Sequence, residues 1–180
     1  MKKIILIGVL IEFFILLYFY FYFIDLSEVF RYSARYSGRL SLFVYLLCFY
    51  LFSLEYKQGV FNFTKKATLV FAILHLIHFV YLSLSVFLND LPIVPYKLLG
   101  GFIAYLLITI YPLIIDKISN SIFHIIYFYY VGIVMAMTYI ARIKGEFIGA
   151  PTELFHYVGL SLVLLSFIIY GYKLFKIKKE

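Results

Sequence analysis

Apolar and polar positions fall into blocks along this chain rather than alternating at strand or amphipathic-helix spacing. Runs dominated by Ile, Leu, Val, Phe and Tyr are separated by short clusters of charge, Asn, Gly and Pro. An apolar run of about 20 residues crosses the hydrocarbon of a bilayer as an α-helix, because a lipid-exposed backbone must satisfy its own hydrogen bonds. The runs predict helices over about 4–24, 40–54, 67–88, 95–115, 121–141 and 152–172. The expected fold class is all-α: a polytopic membrane protein in which 1–180 form a single six-transmembrane-helix bundle.

The boundaries carry their own signals. Met1-Lys2-Lys3 opens like a signal peptide, but the run behind it is too long for such a core and has no small-residue cleavage site, so it reads as a retained helix. Asp25 to Arg39 reads as a mixed loop, and the short second helix is expected to reach back into its last residues, Arg35-Tyr36-Ser37-Gly38. Glu55 to Lys66 is a polar return. Asn89-Asp90 and Pro92 end the third helix, since proline disfavours helical backbone before it. Pro95 suits a first turn, and Pro112 should bend or end the fourth helix. Ser119-Asn120-Ser121 supplies N-cap side chains for the fifth, and a loop with Gly145, Gly149 and Pro151 precedes the sixth.

Composition agrees. The chain is 65% hydrophobic and 14% charged, with a mean hydropathy of +1.01, which excludes cytosolic, nuclear and secreted classes. The basic pI of about 9.3 then points to lipid rather than to a nucleic-acid partner, as do the four lysines of the tail from Lys173 to Glu180. With the N-terminus inside, ten of the 16 Lys and Arg fall on the inner side, and the outer six are diluted by acids. The bias places both termini in the cytoplasm and makes the third and fifth helices parallel. Cys48 has no intrachain partner and is read as packing.

The candidate chemistry centres on the third helix, where His75 and His78 stand three residues apart inside an apolar run. An imidazole in hydrocarbon is costly and commonly ligates, relays protons or pairs. Spacing of three puts both on one helix face. His124 and Met137 lie on the fifth helix and His156 near the start of the sixth, while Glu12 is the single charge inside the first. Structural readings stand beside these: a histidine bonded to Ser or Tyr across helices, interfacial positions for His124 and His156, packing for Met137, and pairing with a cation for Glu12. Zinc fits poorly, with no Cys, Asp or Glu at structural spacing. Haem fits better, needing two axial His or Met ligands and an apolar slot, with Gly100, Gly101, Ala104 and Gly132 as small residues beside it. Arg39, Lys65 and Lys66 lie at membrane edges, within reach of haem propionates.

Four landmarks carry a family resemblance. Tyr36-Ser37-Gly38-Arg39 is similar to an aromatic-T-G-R element before the second helix, and Lys65-Lys66 followed by Leu74-His75 or Ile77-His78 resembles a basic pair and LH in the third. Pro95-Tyr96-Lys97-Leu98-Leu99-Gly100 resembles a P-Y-x-x-x-G opening, and Phe123-His124-Ile125-Ile126-Tyr127 an LH…Y element. Together, over about residues 30 to 145, the chain resembles the ferric-reductase-like transmembrane domain family, and within it the haem-binding membrane subunits of bacterial periplasmic methionine-sulfoxide reductase systems. The resemblance implies one or two b-type haems between parallel third and fifth helices, in a bacterial cytoplasmic membrane. The family's fifth helix has a second histidine thirteen residues after the first, where this chain has Met137. Either His78 (or His75) with Met137 forms a His/Met site and His124 serves another haem, or one site or both are lost. On an ideal helix thirteen residues leave Met137 about 140° from the His124 face, so a shared face requires a π-bulge, for which Gly132 is a place.

The function expected is a membrane-embedded electron-transfer subunit of an oxidoreductase, not a complete enzyme. It would pass electrons from quinol or a cytoplasmic flavoprotein to a periplasmic reductase acceptor. The chain has no G-x-G-x-x-G element of its own. The alternative is a haem-free small transporter or structural membrane subunit, with Glu12 and the histidines in a buried polar network.

Overall fold

A computed structural model describes residues 1–147 and 151–179, apart from the side chains of Tyr96, Lys97 and 177–179. Gly149 and the Tyr96-Lys97 side chains of the fourth-helix landmark therefore lie outside the described residues. The described chain is all-α with no strand. Its helices are α1 (Lys2–Tyr22), α2 (Leu26–Glu55), α3 (Asn62–Leu88), α4 (Pro95–Ile114), α5 (Ser121–Ile143) and α6 (Leu154–Lys179). All six are long and apolar enough to cross a membrane.

The largest departure from the sequence expectation is α2, which begins at Leu26 and contains the stretch read as a loop. Asp25 caps it, its carboxylate accepting from the Ser27 backbone N–H at 2.9 Å and from the Ser27 hydroxyl at 2.8 Å. Those two bonds hold the exposed Asp25 carboxyl below the usual carboxylate range. The polarity that mimicked a loop is a stripe at helical spacing: Ser33, Ser37 and Ser41 are all fully buried. With Ala34 and Gly38 they make a small-residue face that lets α1 and α3 approach closely.

Other ends follow their predicted chemistry. Pro95 occupies the first turn of α4, and Asn120 caps α5 by accepting from the Ile122 N–H at 2.9 Å. Pro112 lies in the last turn of α4, which tightens into a 3₁₀ turn at Ile115–Lys117. Glu55, at the end of α2, accepts from the N–H groups of Phe63 and Thr64, both at 2.8 Å, and so caps the start of α3. At the end of α5, Gly145 takes φ 70°. Its N–H bonds to the Arg142 carbonyl, and that of Glu146 to Ala141, which together close the helix as a Schellman motif.

α2 is the central helix, packed against α1, α3 and α6, and the circuit closes through α3–α4, α4–α5 and α5–α6. The half of the bundle nearer the chain termini is filled with rings: Tyr45, Phe49 and Phe52 of α2, Phe71 of α3, Tyr111 of α4, and Tyr127 and Phe128 of α5. Tyr111 and Tyr127 stack at 3.6 Å, and Phe49 and Phe128 at 5.2 Å. Tyr45 donates to the Phe128 carbonyl at 2.8 Å, tying α2 to α5 across the core. Cys48 is buried among these rings.

Candidate functional site

His75 and His78 lie at the middle of α3, one helical step apart, their ring centroids separated by 5.4 Å. The His75 ring is sandwiched by Phe71 at 5.2 Å and by Tyr105 of α4, stacked at 4.6 Å. His78 rests in the notch left by Gly38 of α2, where a Cβ would come 3.1 Å from its Cε1, and beside the Ala34 carbonyl. Both rings are partly buried, and the Nδ1 atom of each is enclosed without a hydrogen-bond partner. Unpartnered buried imidazole nitrogens are costly, which marks this face as one with unused ligand capacity.

A second polar centre adjoins it through the next residue of α2. Ser37 donates to Glu12 Oε1 at 2.7 Å, and the Tyr81 hydroxyl donates to the Glu12 backbone carbonyl at 3.1 Å. Glu12 is 1% exposed and its Oε2 has no partner. The cation expected as its partner is absent among the described residues; a serine takes that place. The packing of α1 explains why: Gly8, one turn earlier, lies against Leu74, so Glu12 is carried into the α1–α2–α3 junction, away from lipid.

The two α5 candidates have different surroundings. His124 is buried, but Tyr111 Oη lies 2.8 Å from its Nδ1, and the Ile118 carbonyl lies 3.3 Å from its Nε2. Phe61 packs on the ring at 4.5 Å. Both nitrogens are therefore engaged in the local structure. Met137 is 59% exposed. α5 is a continuous α-helix with no π-bulge, so Met137 is rotated off the stripe of His124, Phe128, Val131, Gly132 and Ala136 that faces inward. Gly132 does not open a slot either. A Cβ there would lie 2.3 Å from Tyr45 Oη and 2.5 Å from Phe167, so the space is already taken by protein. A Cβ at Gly100 or Gly101 would meet nothing within 4 Å, and Ala104 is buried. Tyr45 and Phe49 of α2 stand in the core between α3 and α5.

The edge cations lie at opposite ends. Lys65 pairs with Asp116, and Lys66 sits 5.7 Å over the Phe63 ring, both near the chain termini. Arg39 is at the other end, paired with Glu153 together with Arg35. His156 accepts the Glu153 backbone N–H on Nδ1 at 3.0 Å, and its ring lies within electrostatic range of Arg35, Arg39, Arg142 and Glu153. The sequence names Arg39 and His156 but does not join them to Arg35, Arg142 and Glu153, nor Ser37 to Glu12. Arginines at 31, 35 and 39, spaced by four, were the available signal: one helical face rather than a loop.

Of the residues proposed to hold haem, His75 and His78 have the free donor chemistry of axial ligands, whereas His124 and Met137 offer no free donor to that face. Comparison with known proteins shows that the chain matches no family model, no curated protein and no solved structure.

Proposed function

We propose that this six-helix membrane protein is an electron-transfer subunit that holds b-type haem on the α3 histidine face. Donors and acceptors would be those of the resemblance: quinol or a cytoplasmic flavoprotein on one side, a periplasmic reductase on the other. The observation that carries the reading is the pair of partnerless Nδ1 atoms on His75 and His78, one helical step apart at mid-span. His75 is the less engaged of the two, since its ring makes stacking contacts only, while His78 also meets the Ala34 carbonyl. Haem, when bound, supplies the one-electron chemistry. The chain supplies the imidazole, the aromatic wall of Phe71 and Tyr105, and a position away from water.

The test is a reduced-minus-oxidised absorption spectrum of protein expressed with ample haem. Soret and α bands that are present in the wild type and lost in His75→Ala or His78→Ala support the assignment. A colourless protein overturns it. A haem-free transporter or structural subunit is then the second reading, favoured by Glu12, whose buried Oε2 lacks a partner. Under it, Glu12→Gln impairs the function of a protein without pigment.

A further inference from the structure

We propose that Arg35, Arg39 and Arg142, gathered around Glu153 at the end of the bundle opposite the chain termini, form a binding site for a phosphate-bearing anion, filled in the membrane by the headgroup of an anionic phospholipid. The proposal is independent of the haem reading.

The charge is unbalanced. Arg35 pairs with Oε1 of Glu153 and Arg39 with Oε2, so both carboxylate oxygens are used. The Arg35 side chain is only 8% exposed. Arg142, on the last turn of α5, stands close enough for its charge to act on Arg35 and Glu153. Its guanidinium has no hydrogen-bond acceptor among the described residues and instead lies 4.7 Å over the Phe147 ring. Two guanidiniums thus bond one carboxylate, and a third stands beside them on the residue whose carbonyl accepts from Thr152, next to Glu153. The remaining cation of α2 at this end, Arg31, is already paired with Glu28 and Asn89.

The cluster is also built rather than loose. Arg35 lies 4.6 Å over Tyr32, and Arg39 lies 4.4 Å over Tyr36 and 4.7 Å over Phe155, so rings hold the guanidinium planes. Thr152 donates to the Arg142 carbonyl at 3.0 Å and fixes the start of α6 beside the end of α5. Because His156 Nδ1 accepts the Glu153 N–H, a neutral ring carries its proton on Nε2 and is a further donor in the cluster.

Depth selects the ligand. Lys173 Nζ meets Ser53 Oγ at 3.4 Å, and an ammonium keeps to the water side of the hydrocarbon, so this level is taken as its terminal edge. Arg39 is fourteen residues from Ser53 along α2, about 21 Å at 1.5 Å per residue. In a core of about 30 Å its Cα is then about 9 Å short of the opposite edge, with Arg35 one turn nearer, so the long side chains reach up to phosphate level. A phosphate offers several acceptor oxygens on one centre, the geometry that guanidinium forks bind best.

The experiment titrates delipidated, detergent-solubilised protein, prepared without haem supply, with short-chain phosphatidylglycerol, short-chain phosphatidylcholine or inorganic phosphate, reading the thermal midpoint and lipid adducts by native mass spectrometry. Phosphatidylglycerol is expected to bind roughly thirtyfold tighter than phosphatidylcholine, the preference two excess cations at a membrane surface support. Arg142→Gln, which leaves one excess cation, should cut the preference to about fivefold, and Lys144→Gln, at the same end but outside the cluster, should keep it. If Arg142→Gln does not fold, Arg142→Lys, which keeps charge and loses the fork, should show an intermediate preference. Inorganic phosphate matching phosphatidylglycerol would keep the chemistry and assign the site to free phosphate. Equal affinity for the two lipids, an unchanged preference in Arg142→Gln or Arg142→Lys, or its loss in Lys144→Gln overturns the proposal.

Discussion

Ser37 donates to Glu12 Oε1 at 2.7 Å across the α1–α2 contact, while Glu12 Oε2 has no partner. Among the described residues this is the one side-chain hydrogen bond to the Glu12 carboxyl, which three helices enclose. Ser37→Ala should therefore leave both oxygens unpaired and lower stability by about 1–3 kcal/mol. Glu12→Gln keeps an acceptor for Ser37 and should stay within about 1 kcal/mol of the wild type. Thermal unfolding in detergent reads both, and an unchanged midpoint in Ser37→Ala would count against the bond.

Gly132 is a close-approach position. An added Cβ would fall 2.3 Å from Tyr45 Oη, displacing the hydroxyl that bonds the Phe128 carbonyl. Gly132→Ala should cost about 1–3 kcal/mol through overpacking. Gly101→Ala, with nothing within 4 Å, should be neutral or slightly stabilising in its helix. The pair of unfolding midpoints separates a filled core from an open slot, because a slot at Gly132 would tolerate the methyl group.

What could be read from the chain, and what could not, divides along physical lines. Spans of unbroken apolar residues announce themselves one at a time, so five of six helices lie where hydropathy puts them. The first half of α2 does not, because Ser33, Ser37 and Ser41 look like loop residues until their spacing is matched to a partner face. His75 and His78 stand out in the sequence because imidazole in an apolar run is expensive wherever it points. The fates of His124 and Met137 depended on the rotation of α5 and on Tyr111, thirteen residues from His124 in sequence and on another helix. The pairing of Arg35 with Glu153 spans 118 residues and has no local signature.

His124 should behave as a structural residue. Tyr111→Phe removes the partner of Nδ1 and should lower stability by about 1–2 kcal/mol. His124→Leu should cost as much or more, since it leaves the buried Tyr111 hydroxyl alone. Neither substitution should alter an absorption band carried by the α3 histidines. Loss of such a band in His124→Leu with the fold intact would make His124 a ligand.

Asp25 gives α2 a pH-dependent cap. Its folded carboxyl lies below the ordinary range because the Ser27 N–H and hydroxyl bond the charged form. A depressed folded value means the contribution is complete above the unfolded carboxylate range and disappears as pH falls through the folded value. Asp25→Ala should thus unfold at a lower temperature than the wild type at neutral pH, with the gap closing in acid. Asp25→Asn, which caps without charge, should narrow the gap at neutral pH. A gap independent of pH would remove the carboxylate from the account.

Met135 and Met137 sit two residues apart on α5 and should respond in opposite ways. Met135 is partly buried against the core, so Met135→Ala should cost about 1–2 kcal/mol. Met137 is 59% exposed, and Met137→Ala should change stability by no more than about 0.5 kcal/mol. The same substitution tests ligation directly. Thioether ligation raises a haem potential, so replacing an axial Met lowers the potential and alters the spectrum. With Met137 turned away from α3, haem bound by the α3 histidines should keep its bands and midpoint potential in Met137→Ala. A potential that falls in that variant would require α5 to rotate by about one residue, roughly 100°, from the arrangement described, and Met135 would then lose the packing on which its own substitution cost depends.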